Sequence, residues 1–382
     1  MKQSAKWIWQ HPKWPSFSWD AEPLAPLLRA CTQAQGQLLG MIGASGADAN
    51  VERELDALLQ NVITSSAIEG EQLNVESVRS SLAKRLGLAS DDRVTARSEG
   101  LAELMLDATQ QNDAPLTSER LMHWHRLLFP ETSALTANPI QVGVLGGAEP
   151  MQVVSGRIDR PVVHFEAPGR EGLEQKLDDF FYWFNSCRAD PTLDPLIRAG
   201  VAHFWFVTLH PFDDGNGRLT RAITDLAMAQ GEHRAIRFYA MSASILARRQ
   251  DYYRILEATQ RGGLNITEWL VWFLQTLHHT FEQAIQRIDR VLAKARFWQA
   301  HRDDGLSTEQ IKVLNRLLNG DLLSEKPDAG FTDGISAAQY QAVAKVSKAT
   351  ATRHLADLLE KDCLHKLPGG GRSTRYQINW SD

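Results

Sequence analysis

Leu55, Leu58, Leu59 and Val62 recur at i, i+3, i+4 and i+7, the spacing of one face of a helix, within a stretch from about Leu24 to Arg85 that reads as helical throughout. The same pattern predicts helices over Arg97–Gln110 and over Ser118–Leu128, the latter stopping short of Pro130. Between Asn138 and Gly169 the period changes. Met151–Ser155 and Pro161–Phe165 are short β-like runs joined by Gly156-Arg157-Ile158-Asp159-Arg160, which predicts a hairpin in an otherwise helical chain. Helices are expected again over Leu173–Asn185, Leu196–Leu209, a stretch after Asn216, Tyr252–Arg261 and Ile266–Ala295. Ahead of all these, Trp7, Trp9, Trp14 and Trp19 alternate with Pro12, Pro15, Pro23 and Pro26, which excludes a regular helix and predicts an extended arm clamped by its aromatics.

The tail predicts helices over Ser307–Leu318, Ala337–Val346 and Lys348–Glu360, the last with Ser347 as N-cap and Leu355, Leu358 and Leu359 on one apolar face. Leu364–Leu367, a Pro-Gly-Gly-Gly-Arg turn and Thr374–Ile378 complete the order of a winged helix-turn-helix. In that reading Lys348–Glu360 is the recognition helix and Gly369–Arg375 the wing, with Lys345, Lys348, Arg353, Arg372 and Arg375 available to phosphates. Charge bears on this. The whole chain carries −5, yet Ser336–Trp380 holds seven Lys/Arg against three Asp/Glu, about +4. DNA through residues 336–380, or a protein, is the partner this tail suits.

Composition narrows the class. At 382 residues, 43% hydrophobic and 23% charged, the chain has room for two or three globular domains. Cys31, Cys187 and Cys363 are far apart and form no CxxC pair, which argues against a disulfide framework or a zinc site. No apolar run is long enough to span a bilayer and Met1–Gln10 has no signal-peptide pattern, so a cytoplasmic protein without a membrane partner is expected.

The chemistry concentrates in His210-Pro-Phe-Asp-Asp-Gly-Asn-Gly-Arg-Leu-Thr-Arg221. An apolar helix ends at His210-Pro211, Gly215-Asn216-Gly217 follows, and a new helix begins. A Gly-rich turn at a helix N-terminus offers unpaired N–H groups to an anion. Arg218 and Arg221, at i and i+3, project from one face towards further phosphate charge. Asp214 is suited to a magnesium ion and His210 to taking a proton near neutral pH. There is no GxxxxGK[ST] run, which excludes a P-loop.

Position for position, this segment resembles the Fic-family motif H-x-F-x-[D/E]-G-N-G-R-x-x-R, and the likeness extends over roughly Val51–Phe281. The resemblance implies a mainly α Fic-type core with a β-hairpin flap, in domains of residues 1–95 (extension and inhibitory helix), 96–295 (core) and 300–382 (winged helix). It implies a protein adenylyltransferase that moves AMP from ATP to a Ser, Thr or Tyr hydroxyl of a target protein. His210 would be the base, Phe212 the loop's anchor and Asp214 the Mg²⁺ ligand; Gly215, Asn216 and Gly217 would hold the α-phosphate, Arg218 the β- and Arg221 the γ-phosphate. Gly217 stands where Doc-type kinases have Lys, which favours AMP transfer. Val153 and Val154 would pair with the target, Val163 and His164 would lie near the nucleoside, and Tyr252, Tyr253 and Gln260 would line the adenine pocket. Relatives often carry an Arg before the flap, where this chain has Gly143–Gly147 with none. The family also implies self-association into a homodimer.

Upstream, Ser65-Ser66-Ala67-Ile68-Glu69-Gly70 fits [S/T]-x-x-x-E-[G/N], with Ser65 and Glu69 one turn apart and Gly70 suited to end the helix. This resembles the family's inhibitory helix. Glu69 would pair with Arg221 where the γ-phosphate belongs, and would in some relatives also position water to remove AMP. The competing function is a DNA-binding transcriptional regulator whose Fic core is inactive or senses nucleotide.

Overall fold

The structure, a computed structural model, describes residues 6–43, 47–88, 94–130, 140–157, 160–232, 238–319, 334–368 and 374–380. Two compact units divide the chain, Met1–Ile285 and Gln286–Asp382. The first joins the N-terminal extension and the helical core in one body.

At the centre of that body is α7 (Pro195–Leu209), every residue of which from Leu196 on is buried. A helix apolar all round has to be enclosed, and α8 (Asn216–Glu232) packs along it. Its polar exceptions are paired. Arg198 donates to the Phe184 carbonyl and Gln230, while His203 bonds Thr224 Oγ1 and Tyr252 Oη, each at 2.9 Å. Burial, reinforced by the Arg221 charge, pushes His203 down to about 3, so it is neutral.

Around this pair lie α1 (Ala21–Gly43), α2 (Ala47–Ile68), α3 (Val75–Arg85), α4 (Ala96–Gln110), α5 (Ser118–Leu128) and α6 (Leu173–Ser186). Side-chain caps start three of them: Asn74 accepts from Ser77 N, Thr95 from Ser98 N and Thr117 from Arg120 N. One expectation fails here. Pro23 and Pro26 lie inside α1 rather than in an extended arm. Pro23 falls in the first turn, where the missing N–H has no partner to lose, and Pro26 forgoes a single bond.

The arm proper ends before α1. Trp7 packs edge-on against Phe165 at 5.4 Å, and Trp9 Nε1 donates to the Glu166 carbonyl at 2.7 Å. Those partners belong to the hairpin of β1 (Gln152–Arg157) and β2 (Arg160–Glu166), whose turn residues 158–159 lie outside the described set. The aromatics thus fasten the base of the hairpin to the body. The short α9 (Met241–Ala247), α10 (Arg249–Gln260) and the start of α11 (Thr267–Ala300) complete the unit.

The second unit contains α12 (Thr308–Asn319), α13 (Ala337–Ala344) and α14 (Lys348–Glu360), with an antiparallel sheet in the order β3 (Ile335–Ser336), β5 (Arg375–Ile378), β4 (Leu364–Lys366). Ser347 caps α14 by accepting from Thr350 N, as the sequence predicts. Leu314, Tyr340, Leu355, Leu358 and Ile378 form its core. Of the expected wing, Gly369–Arg375, residues 369–373 with Arg372 among them lie outside the described set, and Arg375 opens β5. Among the described residues, no helix is long and apolar enough to cross a membrane.

Candidate active site

The loop between α7 and α8 is set by its ends. Pro211 ends α7 as expected, but His210 adopts φ 46°, ψ 55°, a left-handed conformation rather than the extended one usual before proline. A non-glycine residue held there stores strain of the kind found at functional sites. His210 Nδ1 lies 3.4 Å from the Val207 carbonyl, an oxygen that can only accept, so Nδ1 carries the proton and Nε2 keeps its lone pair. Burial lowers the imidazole below its ordinary 6.5, outweighing the Val207 carbonyl, Glu69 and Asp214, which all raise it. The ring is therefore neutral and basic at neutral pH.

The rest of the loop is pinned from inside. Asn216 accepts from Phe212 N at 3.0 Å and donates to Phe212 O at 2.7 Å, so its side chain closes the loop. Phe212 is fully buried and stacked on His125 at 4.1 Å. Gly143 N–H donates to His125 Nδ1 at 2.8 Å, which leaves Nε2–H to donate to the Asp214 carbonyl at 3.1 Å. His125, which the sequence reading passed over, thus fixes the backbone of the acidic pair. Gly215, at φ +84°, makes the turn into α8 that a side chain would strain. The Asp214 carboxylate is half exposed and takes Gly215 N–H at 2.5 Å on Oδ1. A single accessible carboxylate beside a helix N-terminus fits Mg²⁺, which is commonly held by one or two carboxylates plus substrate oxygens.

Both arginines are buried and both are held by acids just beyond the end of α2. Arg221 donates Nε to Ser65 Oγ at 2.8 Å, and Nη2 to the Ser65 carbonyl at 2.9 Å and Glu69 Oε1 at 2.8 Å. Burial works against ionisation of Glu69, but the charge and hydrogen bond of Arg221, with Arg218 and His210 beyond, hold its carboxyl below the usual range. Glu69 sits so close over α8 that a Cβ on Gly217 would come 2.0 Å from its Oε1. A carboxylate therefore occupies the anion position at the N-terminus of α8. Arg218 donates to Glu71 at 2.6 Å, and Arg97 meets the same carboxylate; neither Glu71 nor Arg97 carries any sequence signal of this role. Two donors, Arg218 Nε and Arg221 Nη1, are buried with no hydrogen-bond partner among the described residues. Buried guanidinium N–H groups are seldom left unpaired.

Beside the loop opens a cavity of about 660 Å³. Glu69, His210 and Gly217 line one side, and Val153, Val154 and His164 of the hairpin another. Arg249, Tyr252, Tyr253, Leu256, Glu257 and Gln260 line a third; their spacing is that of one face of α10. Tyr252 is 2% exposed, with its hydroxyl on His203, and Gln260 donates to Thr208 at 3.2 Å, so both reach the cavity from the core. Val163 is placed elsewhere. Val153 pairs with Phe165 and Val154 with Val163, so His164 is the extra residue of a β-bulge. The bulge turns His164 to the cavity, where Nδ1 meets Glu257 at 2.8 Å, and leaves Val163 packed on the Trp7–Phe165 cluster.

Residues 7–88 match a domain of unknown function (DUF4172), and residues 115–228 match the Fic/DOC family. Over 88 residues the chain is 39% identical to protein adenylyltransferase fic-1 of Caenorhabditis elegans, covering 22% of this chain and 17% of that protein. Over 216 residues it is 26% identical to protein adenylyltransferase Fic of Drosophila grimshawi, covering 55% of this chain and 39% of the other. The chain thus spans less than half the length of these relatives. A Fic domain containing signaling protein from Bacteroides thetaiotaomicron shares the fold, with TM-score 0.51 at 18% identity over 68% of this chain and 97% of that one. The Fic/DOC match at residues 115–228 takes in α5, the hairpin, α7 and the loop with both arginines.

Proposed function

We propose that this chain is a protein adenylyltransferase, moving AMP from ATP to a protein hydroxyl and restrained by Glu69. The observation that carries the reading is the pair of buried arginines at the N-terminus of α8, each with an unpaired N–H, flanking Gly217 and Glu69, which line the cavity with His210. Buried cationic donors of this kind suit a polyphosphate, and a neutral imidazole suits a hydroxyl proton.

In the reaction the hydroxyl proton passes to His210 Nε2 as the hydroxyl oxygen attacks the α-phosphorus. A new P–O bond forms in line with the P–O bond that breaks, and pyrophosphate leaves. The N–H groups of Asn216 and Gly217, joined by that of Gly215 once Asp214 releases it, would stabilise charge on the α-phosphate, with Arg218 and Arg221 gripping the β- and γ-phosphates. Mg²⁺ held by Asp214 would offset phosphate charge. The α10 face would take the adenosine, and the hairpin edge at Val153 and Val154 would align the target by strand pairing. Val154, half exposed, suits that contact. Glu69, on Arg221, stands where the γ-phosphate would go, and without it the same position would accept ATP productively. The carboxylate would also orient a water for the removal of AMP.

The state of His210 fixes the sign of the pH response. A base must be neutral to act, so the rate falls as pH drops through its pKa, and a lowered pKa moves that fall to more acid pH. In Glu69→Gly one group that raises this pKa is gone, which moves the limb further down. The acid limb of kcat/KM for the Glu69→Gly variant is expected below 6.5. A limb at or above that value counts against His210 as the base.

The second unit supports a separate reading, a winged helix that binds DNA. Lys345, Lys348 and Arg353 are exposed on and before the capped helix α14. Retention of the full chain on duplex DNA should weaken steeply with salt, and Lys348→Ala/Arg353→Ala should reduce the slope of log K against log salt by about 2. A salt-independent interaction, or a slope unchanged by the substitutions, would assign the unit to protein partners.

A further inference from the structure

Glu71 lies two residues beyond Glu69, across Gly70 at φ +83°, and the two carboxylates divide the loop's arginines between them. Glu69 takes Arg221 and Glu71 takes Arg218. Glu71 has a second partner from α4. Arg97 Nη2 reaches both its oxygens, at 2.7 and 2.8 Å, and Arg97 Nε reaches Oε1 at 3.0 Å. Both guanidiniums lie over the ring of Phe129, at 5.3 Å for Arg97 and 5.1 Å for Arg218. The Arg218 side chain is 7% exposed, whereas Glu71 and Arg97 are 29% and 26% exposed at the rim.

This arrangement solves a charge problem in nucleotide binding. Arg218 Nε is already unpaired among the described residues, but to turn its Nη1 to a phosphate as well Arg218 has to give up Glu71. A half-buried carboxylate stripped of its only cation is costly. Arg97 already holds it in a fork, the strongest geometry an arginine offers a carboxylate. Glu71 thus keeps a counter-ion when Arg218 turns away.

We propose that Glu71 and Arg97 are a positioning pair for Arg218: Glu71 holds Arg218 before nucleotide binds, and Arg97 retains Glu71 when Arg218 engages phosphate. The proposal rests on the nucleotide-binding part of the reading above. It makes a prediction of sign that an ordinary structural salt bridge does not. Removing the carboxylate frees Arg218 and tightens nucleotide binding, whereas removing Arg97 leaves Arg218 as sole partner of Glu71 and weakens it. With Glu71 already neutral, Arg97 has nothing to hold.

The test is calorimetric binding of Mg·ATP to the full chain as wild type, Glu71→Gln, Arg97→Ala and the double variant, with Tm measured for each. Glu71→Gln is expected to bind about tenfold tighter and Arg97→Ala about tenfold weaker, with the double variant close to Glu71→Gln. Arg97→Lys, which keeps the charge but loses the fork, should fall between wild type and Arg97→Ala, and it serves where the alanine variant does not fold. Weaker binding by Glu71→Gln, or an Arg97 effect of the same size in both backgrounds, would overturn the proposal, as would an absence of Mg·ATP binding in every variant. The outcome separates from that of the transfer reaction. Tightening by Glu71→Gln with no AMP transferred by Glu69→Gly leaves the positioning pair standing and removes the adenylyltransferase reading. Transfer by Glu69→Gly without tightening by Glu71→Gln does the reverse.

Discussion

Glu69→Gly should raise incorporation of label from α-labelled ATP by about tenfold or more, the equivalent of at least ~1.4 kcal/mol of transition-state access. The expectation follows from position. Glu69 Oε1 is 2.8 Å from Arg221 Nη2 and rests against Gly217, so a triphosphate and this carboxylate compete for one cation. The substitution removes the competitor and little else. Arg221 keeps its two bonds to Ser65, and the Glu69 side chain is 30% exposed, so the fold should persist. Initial rates of labelling, read with Tm, check this. Equal rates in wild type and variant, at unchanged Tm, would mean that Glu69 is not a brake.

His210→Ala, placed in the Glu69→Gly background, should reduce transfer by about 10²–10⁴-fold, the usual contribution of a positioned general base. Mg·ATP binding should change little, because the phosphate contacts come from α8 and not from the imidazole. Alanine also relieves nothing essential to the loop, whose closure depends on Asn216 and Phe212. The separation of binding from rate is the informative part. A variant that lost ATP affinity in step with transfer would make His210 a binding residue instead.

Much of this was legible in the sequence because it is local. Ser347 as the cap of α14, the stop of α5 before Pro130 and the turn from α7 into α8 each depend on residues within a few positions of one another. The site's loop was legible for the same reason. What escaped depends on distant pairing. Glu71 and Arg218 are 147 residues apart, and His125 and Asp214 are 89 apart, so nothing near either residue marks the contact. The family resemblance puts Val163 and His164 together near the nucleoside, whereas the bulge at His164 leaves only His164 lining the cavity. Pro23 and Pro26 were read as breakers where the first turns of a helix tolerate them. The seven-residue α9 is too short to show a period at all.

The groups that the proposed function uses are paired with one another in this structure. Three arginines and three carboxylates meet around the α8 N-terminus: Arg97, Arg218 and Arg221 against Glu69, Glu71 and Asp214. Their charges balance before any nucleotide arrives. In the proposed function a polyphosphate would meet the two unpaired N–H groups and would have to displace Glu69 and Glu71 to engage the rest of each guanidinium.

The most direct measurement is the intact mass of the Glu69→Gly variant after incubation with Mg·ATP, beside Glu69→Gly/His210→Ala. An added mass of adenylate on the first and none on the second is the result predicted here. An added phosphate, or an unchanged mass in both, would contradict AMP transfer as the reaction of this site.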